Sequence, residues 1–229
     1  MSEPWFHGED MPAAADWNMA MDDLLLQRVA ELGRPLLRFY AWSEPAATFG
    51  YFQHYTDIAA WTSLRPLIRR PTGGGLVQHD ADWTYSLAFP PSHPWFEFKA
   101  AESYKALHDW LRRSFERLGV TTQLAVCCQK EGPGQCFIGS EPFDLLWNGR
   151  KIAGAAQRRT RGGLLIQGSV QNLAQACTRA EWQEALRQTA PIENRVVEWS
   201  RMEWDPSWLQ AAADLIEIKY ASPAYNQKR

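Results

Sequence analysis

The chain has 229 residues, of which 45% are hydrophobic, and its formal net charge is −2. That length suffices for one large domain or two small ones, and the near-neutral charge gives no sign of a general nucleic-acid-binding protein. No run approaches the ~18 apolar residues of a membrane span, and the acidic N-terminus lacks the apolar stretch of a secretory signal. The four cysteines include no C-x-x-C pair and accompany no zinc-type spacing. We therefore expect a cytoplasmic protein with reduced thiols.

The spacing of apolar residues predicts the secondary structure along the chain. Helical periodicity covers 18–32, ended by Gly33, and recurs over 100–118 and 208–220. Another helix opens at Thr178, with Glu181 three residues on as in a capping box. Strands are predicted over 36–41, 46–51, 66–70, 83–89, 121–126 and 163–170, with 131–135 as a loop. Segments 143–147 and 151–157 flank Asn-Gly, a favoured hairpin turn.

The order of these elements indicates the fold class. Strands outnumber helices and occur in adjacent runs, which favours an α+β fold with a mixed or antiparallel sheet flanked by helices. No internal repeat or linker divides the sequence, so we expect residues 1–229 to form a single domain.

The stretch RRPTGGGLVQHD, residues 69–80, is the first candidate site. Three glycines leave bare backbone against which another group can lie. Arg69 and Arg70 end a strand and should point to opposite faces, so one of them could hold an acyl carbonyl, a carboxylate or a phosphate. The stretch lacks the Walker and Rossmann patterns. A glycine-rich turn is an equally good interpretation from these residues alone.

The segment GPGQCFIGSEPFDLLWNGRKIAG contains the second candidate site. Cysteine chemistry needs an accessible thiolate near a cation; the Gly-Pro-Gly-Gln loop makes Cys136 accessible, and Lys151 can reach back across one hairpin. Cys127 and Cys128 follow an apolar strand, and we expect them to be packed. The ordinary alternatives are an inert thiol at 136 and a solvated lysine at 151.

Four stretches together resemble the lipoate-protein ligase and octanoyltransferase superfamily, relatives of biotin protein ligase. RRPTGGGLVQHD resembles its R-R-x-[ST]-G-G-[GR]-x-V-x-H-D signature, and NGRKIAGAAQ its second signature. NMAMDDLLL and LRFYAWSEPAATFGYFQ are similar to its N-terminal helix and strands, in family order. CFIGSEPFDL, WTYSL and KIAGAAQRR resemble the cysteine-dependent octanoyltransferases most. Gly75, Gln167 and Glu141-Pro142 depart from that pattern, which puts the acyl donor in question.

The resemblance implies a biotin/lipoate protein ligase (class II synthetase-like) catalytic domain without a C-terminal accessory domain. It implies that Cys136 is the nucleophile, forming an acyl-enzyme, and that Lys151 is the second catalytic residue, with no metal site. A substrate-binding role is implied for the residues of both signatures: Arg70, Thr72, Gly73, Gly74, Gly75, His79, Gly154 and Ala155.

The implied reaction moves an octanoyl or lipoyl group to a lysine of a lipoyl-carrier domain. The donor would be octanoyl-acyl carrier protein or an octanoylated H protein, and no cofactor is then needed. The acceptor would be a lipoyl domain of a 2-oxoacid dehydrogenase or the glycine-cleavage H protein, and the enzyme a monomer that binds neither nucleic acid nor membrane. Two alternatives remain open: a ligase that uses ATP and Mg²⁺ to form lipoyl-AMP, and a non-catalytic paralogue that binds acyl carriers.

Overall fold

The computed structural model describes residues 2–128, 139–171, 173, 176–191 and 196–228. Their strands are β1 (Ser2–Glu9), β2 (Leu36–Tyr40), β3 (Ala46–Phe49), β4 (Leu67–Arg69), β5 (Val77–His79), β6 (Trp83–Phe89), β7 (Gln123–Leu124), β8 (Leu145–Trp147), β9 (Arg150–Thr160), β10 (Gly163–Val170) and β11 (Val196–Arg201). Their α-helices are α1 (Ala15–Leu32), α2 (Tyr55–Trp61), α3 (Pro94–Glu97), α4 (Ala100–Arg117), α5 (Arg179–Gln188), α6 (Pro206–Leu215) and α7 (Pro223–Asn226). A π-helical turn, Ile216–Tyr220, follows α6.

The strands form a large sheet and a small one. The eight-stranded sheet has the order β11-β1-β2-β6-β10-β9-β8-β7, and the three-stranded sheet has the order β4-β3-β5. In the large sheet β1 pairs in parallel with both β11 and β2, whereas β2, β6, β10, β9 and β8 pair antiparallel. The predicted mixed sheet is therefore confirmed.

Helices cover both faces of the large sheet. Side chains alternate between faces along a strand, and along β2 Leu37 and Phe39 join one buried cluster while Leu36 and Tyr40 join another. The first cluster includes Trp110 and Phe115 of α4 and Trp182 of α5. The second includes Met21, Leu24 and Leu25 of α1 and Trp208 of α6. The result is a three-layer arrangement of helices, sheet and helices.

The small sheet carries the glycine-rich stretch. Its strand β3 pairs in parallel with β4 and antiparallel with β5, and the three glycines lie in the connection between β4 and β5. A separate small core, made with Ile58 of α2, supports this sheet. The connection thus reaches strands β9 and β10 of the large sheet without belonging to it, since Thr72 Oγ1 donates to Gln167 Oε1 and Arg158 Nη1 donates to Pro71 O.

Most predicted elements are present, with shifted ends. Helix α1 begins at Ala15, three residues before the predicted start, and Gly33 ends it at φ 62° as expected. The capping box at Thr178 and Glu181 is confirmed. The hairpin turn is confirmed, since Asn148 and Gly149 both have positive φ.

Some expectations were wrong. Only two residues of the predicted 121–126 strand, Gln123–Leu124, pair as β7, because Val126 is already 95% exposed. Strands β1, β5 and β11 and helices α2, α3 and α7 were not predicted. The last predicted helix starts at Pro206 and ends in the π-helical turn. The loop predicted at 131–135 lies outside the described residues. Among the helices described, none is both long and apolar enough to cross a membrane.

Candidate active site

A cavity lies where the small sheet meets strands β9 and β10 of the large one. The cavity is narrow, with about 50 Å³ accessible to the centre of a water molecule, and its mouth opens to solvent. Its walls are largely apolar, with a few polar groups among them. The lining residues are Met19, Tyr40, Trp42, Thr48, Arg70, Val77, His79, Thr84, Lys151, Gly154, Ala155, Ala156, Gln167, Gly168 and Ser169.

Lys151 is a buried cation in the wall of this cavity. Its side chain is 8% exposed, and its Nζ lies 2.7 Å from Oδ2 of Asp144, which is fully buried. The lysine side chain lies directly over Gly154, where a Cβ atom would come within 2.8 Å of its Cε and 3.0 Å of its Nζ. The solvated strand lysine that composition alone favours is therefore wrong. A buried ammonium needs a paired anion, and Asp144 supplies it.

Arg70 binds carbonyl oxygens of the segment between β4 and β5 that contains Gly73, Gly74 and Gly75, here called the glycine connection. Its Nε and Nη2 donate to Gly73 O at 3.0 and 2.6 Å, and Nη2 also donates to Gly75 O at 2.7 Å. Arg69 bonds elsewhere, to carbonyls that include Tyr51 O and Asn226 O. The two arginines thus separate as the strand pattern predicts, and both organise backbone.

The three glycines are not all open to a ligand. A Cβ on Gly50 would lie 1.9 Å from Gly74 O, so this part of the connection packs against the protein's own backbone. Gly74 has φ 82°, which favours glycine. A Cβ on Gly73 would meet nothing within 4 Å among the described residues. Thr72 and the three glycines border the cavity rather than line it.

His79 is fixed by a carboxylate and a hydroxyl. Its Nδ1 lies 2.9 Å from Asp82 Oδ2, and its Nε2 lies 2.8 Å from Thr48 Oγ1. Because a carboxylate only accepts, Nδ1 carries a proton. The ring stacks on Trp42 with centroids 3.9 Å apart. The His-Asp pair of the sequence is therefore not the pair in space, since Asp80 is exposed and Asp82 is the partner.

Asp82 is held as an anion by its neighbours. Burial alone would raise the pKa of its carboxyl, but the His79 charge and hydrogen bonds from His79, Ser169 and Thr84 lower that pKa overall. Ser169 Oγ donates at 2.6 Å and Thr84 Oγ1 at 3.0 Å, both to Oδ2. This cluster fixes the wall of the cavity that His79 and Trp42 form.

Gln167 connects the glycine connection to the interior. Its Oε1 accepts from Thr72 Oγ1 at 2.6 Å, and its Nε2 donates to Asp22 Oδ2 at 2.7 Å. Asp22 also accepts from Arg38 Nη1 at 2.7 Å and Tyr40 Oη at 2.9 Å. The position that departs from the octanoyltransferase pattern is thus an uncharged bridge between two parts of the site.

The structure brings Arg70, His79, Lys151, Gly154 and Ala155 together around one cavity. Cys136, the predicted nucleophile, lies outside the described residues, so its placement remains a prediction. It stands five positions before Glu141, whose backbone N–H donates to Asp144 Oδ2 at 2.6 Å. Glu141, close to this segment in sequence, is therefore hydrogen-bonded to Asp144, the ion-pair partner of Lys151.

The other cysteines differ from expectation in part. Cys127 and Cys128 are exposed rather than packed, because the strand before them ends at Leu124. Cys177 is half-buried, and burial, with a smaller contribution from Glu181, raises the pKa of its thiol. Among the described residues, no group of three His, Cys, Asp or Glu side chains could hold a metal ion.

The sequence did not reveal Asp144 or Asp82 as partners. A partial signal for Asp144 was present, since a hairpin closed by Asn148-Gly149 pairs Leu146 with Lys151 and so brings residue 144 near that lysine. Asp144 and Lys151 are then diagonal neighbours, within reach of a lysine side chain. No local pattern identifies Trp42 or Met19 as lining residues, because each comes from an element distant in the sequence.

The fold is that of the lipoate protein ligase class of structure. The protein Ta0514 from T. acidophilum, solved with bound lipoic acid, aligns over 100% of both chains, with a TM-score of 0.76 and 18% identity. A lipoate-protein ligase A solved with ATP aligns over 99% of both chains, with a TM-score of 0.74 and 18% identity. At that identity the likeness concerns the fold, and the predicted fold class is confirmed.

The chain belongs to the lipoyl protein ligase A/B catalytic domain family, whose model matches residues 14–195. A Staphylococcus epidermidis protein named octanoyltransferase LipM is 36% identical over 168 residues, covering 67% of this chain and 60% of that protein. The Macrococcus caseolyticus protein of the same name is 33% identical over 183 residues, covering 74% and 66%. The chain thus spans less than two thirds of the length of these relatives.

Proposed function

We propose that this protein transfers an octanoyl group from a carrier-protein thioester to a lysine of a lipoyl-carrier domain through an acyl-enzyme on Cys136. The observation that carries the proposal is the largely apolar cavity whose wall contains the buried, ion-paired Lys151. Similarity to proteins named octanoyltransferase supports the same reaction. Both the octanoyl donor, an acyl carrier protein or an octanoylated H protein, and the acceptor domain are part of the proposal.

The cavity suits a saturated acyl chain. Each methylene moved from water into an apolar site contributes roughly 0.8 kcal/mol, so burying the chain of an octanoyl group contributes about 5 kcal/mol. Met19, Val77, Trp42 and the small residues of β9 supply apolar surface. The thioester end would then lie towards Lys151 and the glycine connection.

The reaction proceeds in two balanced steps. The Cys136 thiolate attacks the donor thioester carbonyl, a tetrahedral oxyanion forms, and the carrier thiolate leaves and takes a proton. The acceptor lysine, as a free amine, attacks the new thioester, loses a proton and releases the Cys136 thiolate. An amide replaces a thioester, so the second step is downhill and ATP is not consumed. The Lys151 ammonium stabilises both oxyanions.

Intact mass spectrometry tests this proposal. The protein is mixed with octanoyl-acyl carrier protein, without ATP, and a lipoyl domain is then added. We expect an octanoyl adduct on the wild type that the lipoyl domain discharges, and no adduct on Cys136→Ala. Cys177→Ala and Cys127→Ala are matched controls, one half-buried and one exposed thiol, and both should form the adduct.

A different outcome would redirect the proposal. If neither the wild type nor the controls form an adduct, the same samples receive ATP, Mg²⁺ and lipoate. Lipoylation of the domain under those conditions, retained in Cys136→Ala, would replace the transferase with a ligase. Tight binding of the octanoyl carrier with no transfer under either condition would leave a binding protein.

A further inference from the structure

The Lys151 ammonium is the last member of a hydrogen-bonded series of three side chains, Tyr104, Asp144 and Lys151. Asp144 Oδ2 faces Lys151 Nζ at 2.7 Å, and Asp144 Oδ1 accepts the hydroxyl proton of Tyr104. Tyr104 belongs to α4 and Lys151 to β9. A third donor ties Asp144 to the connection before β8, since the Glu141 N–H donates to Asp144 Oδ2 at 2.6 Å. Three separate parts of the chain therefore fix one carboxylate.

The far end of this series is also fixed. The Tyr104 ring packs on His108, with centroids 4.2 Å apart, and His108 is fully buried. The Tyr104 hydroxyl additionally lies 3.4 Å from the Ala155 N–H, which belongs to the same strand as Lys151. Tyr104 cannot rotate away without losing contacts with both α4 and β9. Its hydroxyl is consequently a rigid donor to Asp144.

The side chains of Tyr104, Asp144 and Lys151 lie between two cavities. The cavity proposed to hold the acyl group is lined by Lys151 and Ala155, and an open groove is lined by Tyr104, Ala155 and Glu141. An ammonium at such a wall acts on a substrate only if its direction is fixed. A lysine side chain has four rotatable bonds and does not fix that direction by itself.

We infer that Asp144 and Tyr104 are positioning residues for Lys151: Tyr104 orients the Asp144 carboxylate, and Asp144 orients the Lys151 ammonium towards the reacting carbonyl. This inference rests on the proposed acyl transfer for its kinetic consequence. The pattern of acceptors explains why a carboxylate is needed at 144. Its two oxygens accept from three donors, and an amide would turn one of those acceptors into an N–H₂ donor.

A double-mutant cycle tests the kinetic consequence. We compare wild type, Asp144→Asn, Lys151→Ala and the double variant for single-turnover acylation by octanoyl-acyl carrier protein. Loss of a preorganised oxyanion donor lowers kcat by about 10²–10³-fold, and Asp144→Asn, which retains the lysine, should lose about 10- to 100-fold. KM for the donor should change less than twofold. The double variant should be no slower than Lys151→Ala, because Asp144 acts through Lys151.

Tyr104→Phe tests the role of the Tyr104 hydroxyl, and Tyr85→Phe is its matched control. Tyr85 is a buried tyrosine whose hydroxyl has no hydrogen-bond partner among the residues that the structure describes, so its removal should leave kcat unchanged. Tyr104→Phe removes a donor to Asp144 and should lower kcat several-fold. Independent, multiplying losses from Asp144→Asn and Lys151→Ala would overturn the inference, as would wild-type kcat in a folded Asp144→Asn variant.

A spectroscopic measurement tests the positioning without any transfer. A buried, hydrogen-bonded lysine ammonium exchanges its protons slowly enough to give a ¹H–¹⁵N signal, and Lys151→Arg assigns it. We expect that signal in the wild type and in Tyr85→Phe, and its loss in Asp144→Asn. Absence of a protected Lys151 signal in the wild type overturns the inference. Presence of the signal without acylation would instead reject the proposed function and retain the positioning.

Discussion

One methyl group added at Gly154 should disable acyl transfer while leaving the protein folded. In Gly154→Ala the new Cβ would lie 2.8 Å from Lys151 Cε and 3.0 Å from Nζ. Ordinary contact begins at 3.4–4 Å, so Cε has to retreat by 0.6–1.2 Å. The substitution does not strain the backbone, because Gly154 does not have a positive φ. The lysine side chain therefore moves and the strand stays.

The size of the effect follows from that displacement. A misplacement of about 1 Å in a catalytic group can lower turnover about 10²-fold, and we expect a loss of that order in kcat. The free energy of unfolding should change by less than about 1 kcal/mol, since replacing glycine in an allowed conformation contributes about 0.4–1 kcal/mol that offsets the local crowding. Single-turnover acylation and urea unfolding measure the two quantities separately.

Gly168→Ala is the matched control, since Gly168 lines the same cavity. Its Cβ would lie 2.2 Å from Tyr85 Cζ and Oη, part of a fully buried ring that cannot retreat. Overpacking of this kind destabilises by about 1–3 kcal/mol or more. Turnover close to wild type in a fully folded Gly154→Ala protein would refute the reasoning, because the observed placement of Lys151 would then be unnecessary.

Three further predictions concern other parts of the molecule. Gly73→Ala has open space around its Cβ, so it should raise KM for the octanoyl donor without lowering the melting temperature if acyl groups lie against this backbone; an unchanged KM would remove Gly73 from the binding surface. Burial lowers the pKa of His108 from its ordinary 6.5 to about 4, so the unfolded state binds the extra proton and stability falls as pH drops from 6.5 towards 4. That loss amounts to about 3 kcal/mol, and urea unfolding of His108→Leu across this pH range should lack it; an unchanged slope would contradict the assignment. Thr178→Ala removes the cap of α5 and should destabilise by about 1 kcal/mol in thermal unfolding, whereas no change would mean that the capping box is dispensable.

Local sequence patterns were sufficient where the structure is local. The hairpin at Asn148-Gly149 and the capping box at Thr178 each depend on residues a few positions apart, and both are present. Strand β1 was missed because Trp5 and Gly8 are its only buried residues, which leaves no alternation to detect. Its partner β11 lies at the other end of the chain, from Val196 to Arg201. Non-local pairing of this kind has no short-range signal.

In the candidate site too, the residues within local sequence signatures were predicted and their hydrogen-bond partners were not. The two signature stretches identified Arg70, His79 and Lys151, which the fold brings to one cavity. Their partners could not be found in this way, because Asp82 is chosen over Asp80 by the turn after β5 rather than by adjacency. In a strand, neighbouring residues point to opposite faces, so a partner next in sequence is a poor candidate.

The engagement of Arg70 bears on the choice between transfer and ligation. An acyl-adenylate needs positive groups that meet its phosphate, yet Arg70 already donates to Gly73 O and Gly75 O. Recruiting Arg70 would leave two loop carbonyls to find new donors, and each buried carbonyl left unsatisfied costs about 1–3 kcal/mol. A thioester brings no phosphate to this position and needs only the ammonium already present. The observed geometry therefore favours acyl transfer over adenylation.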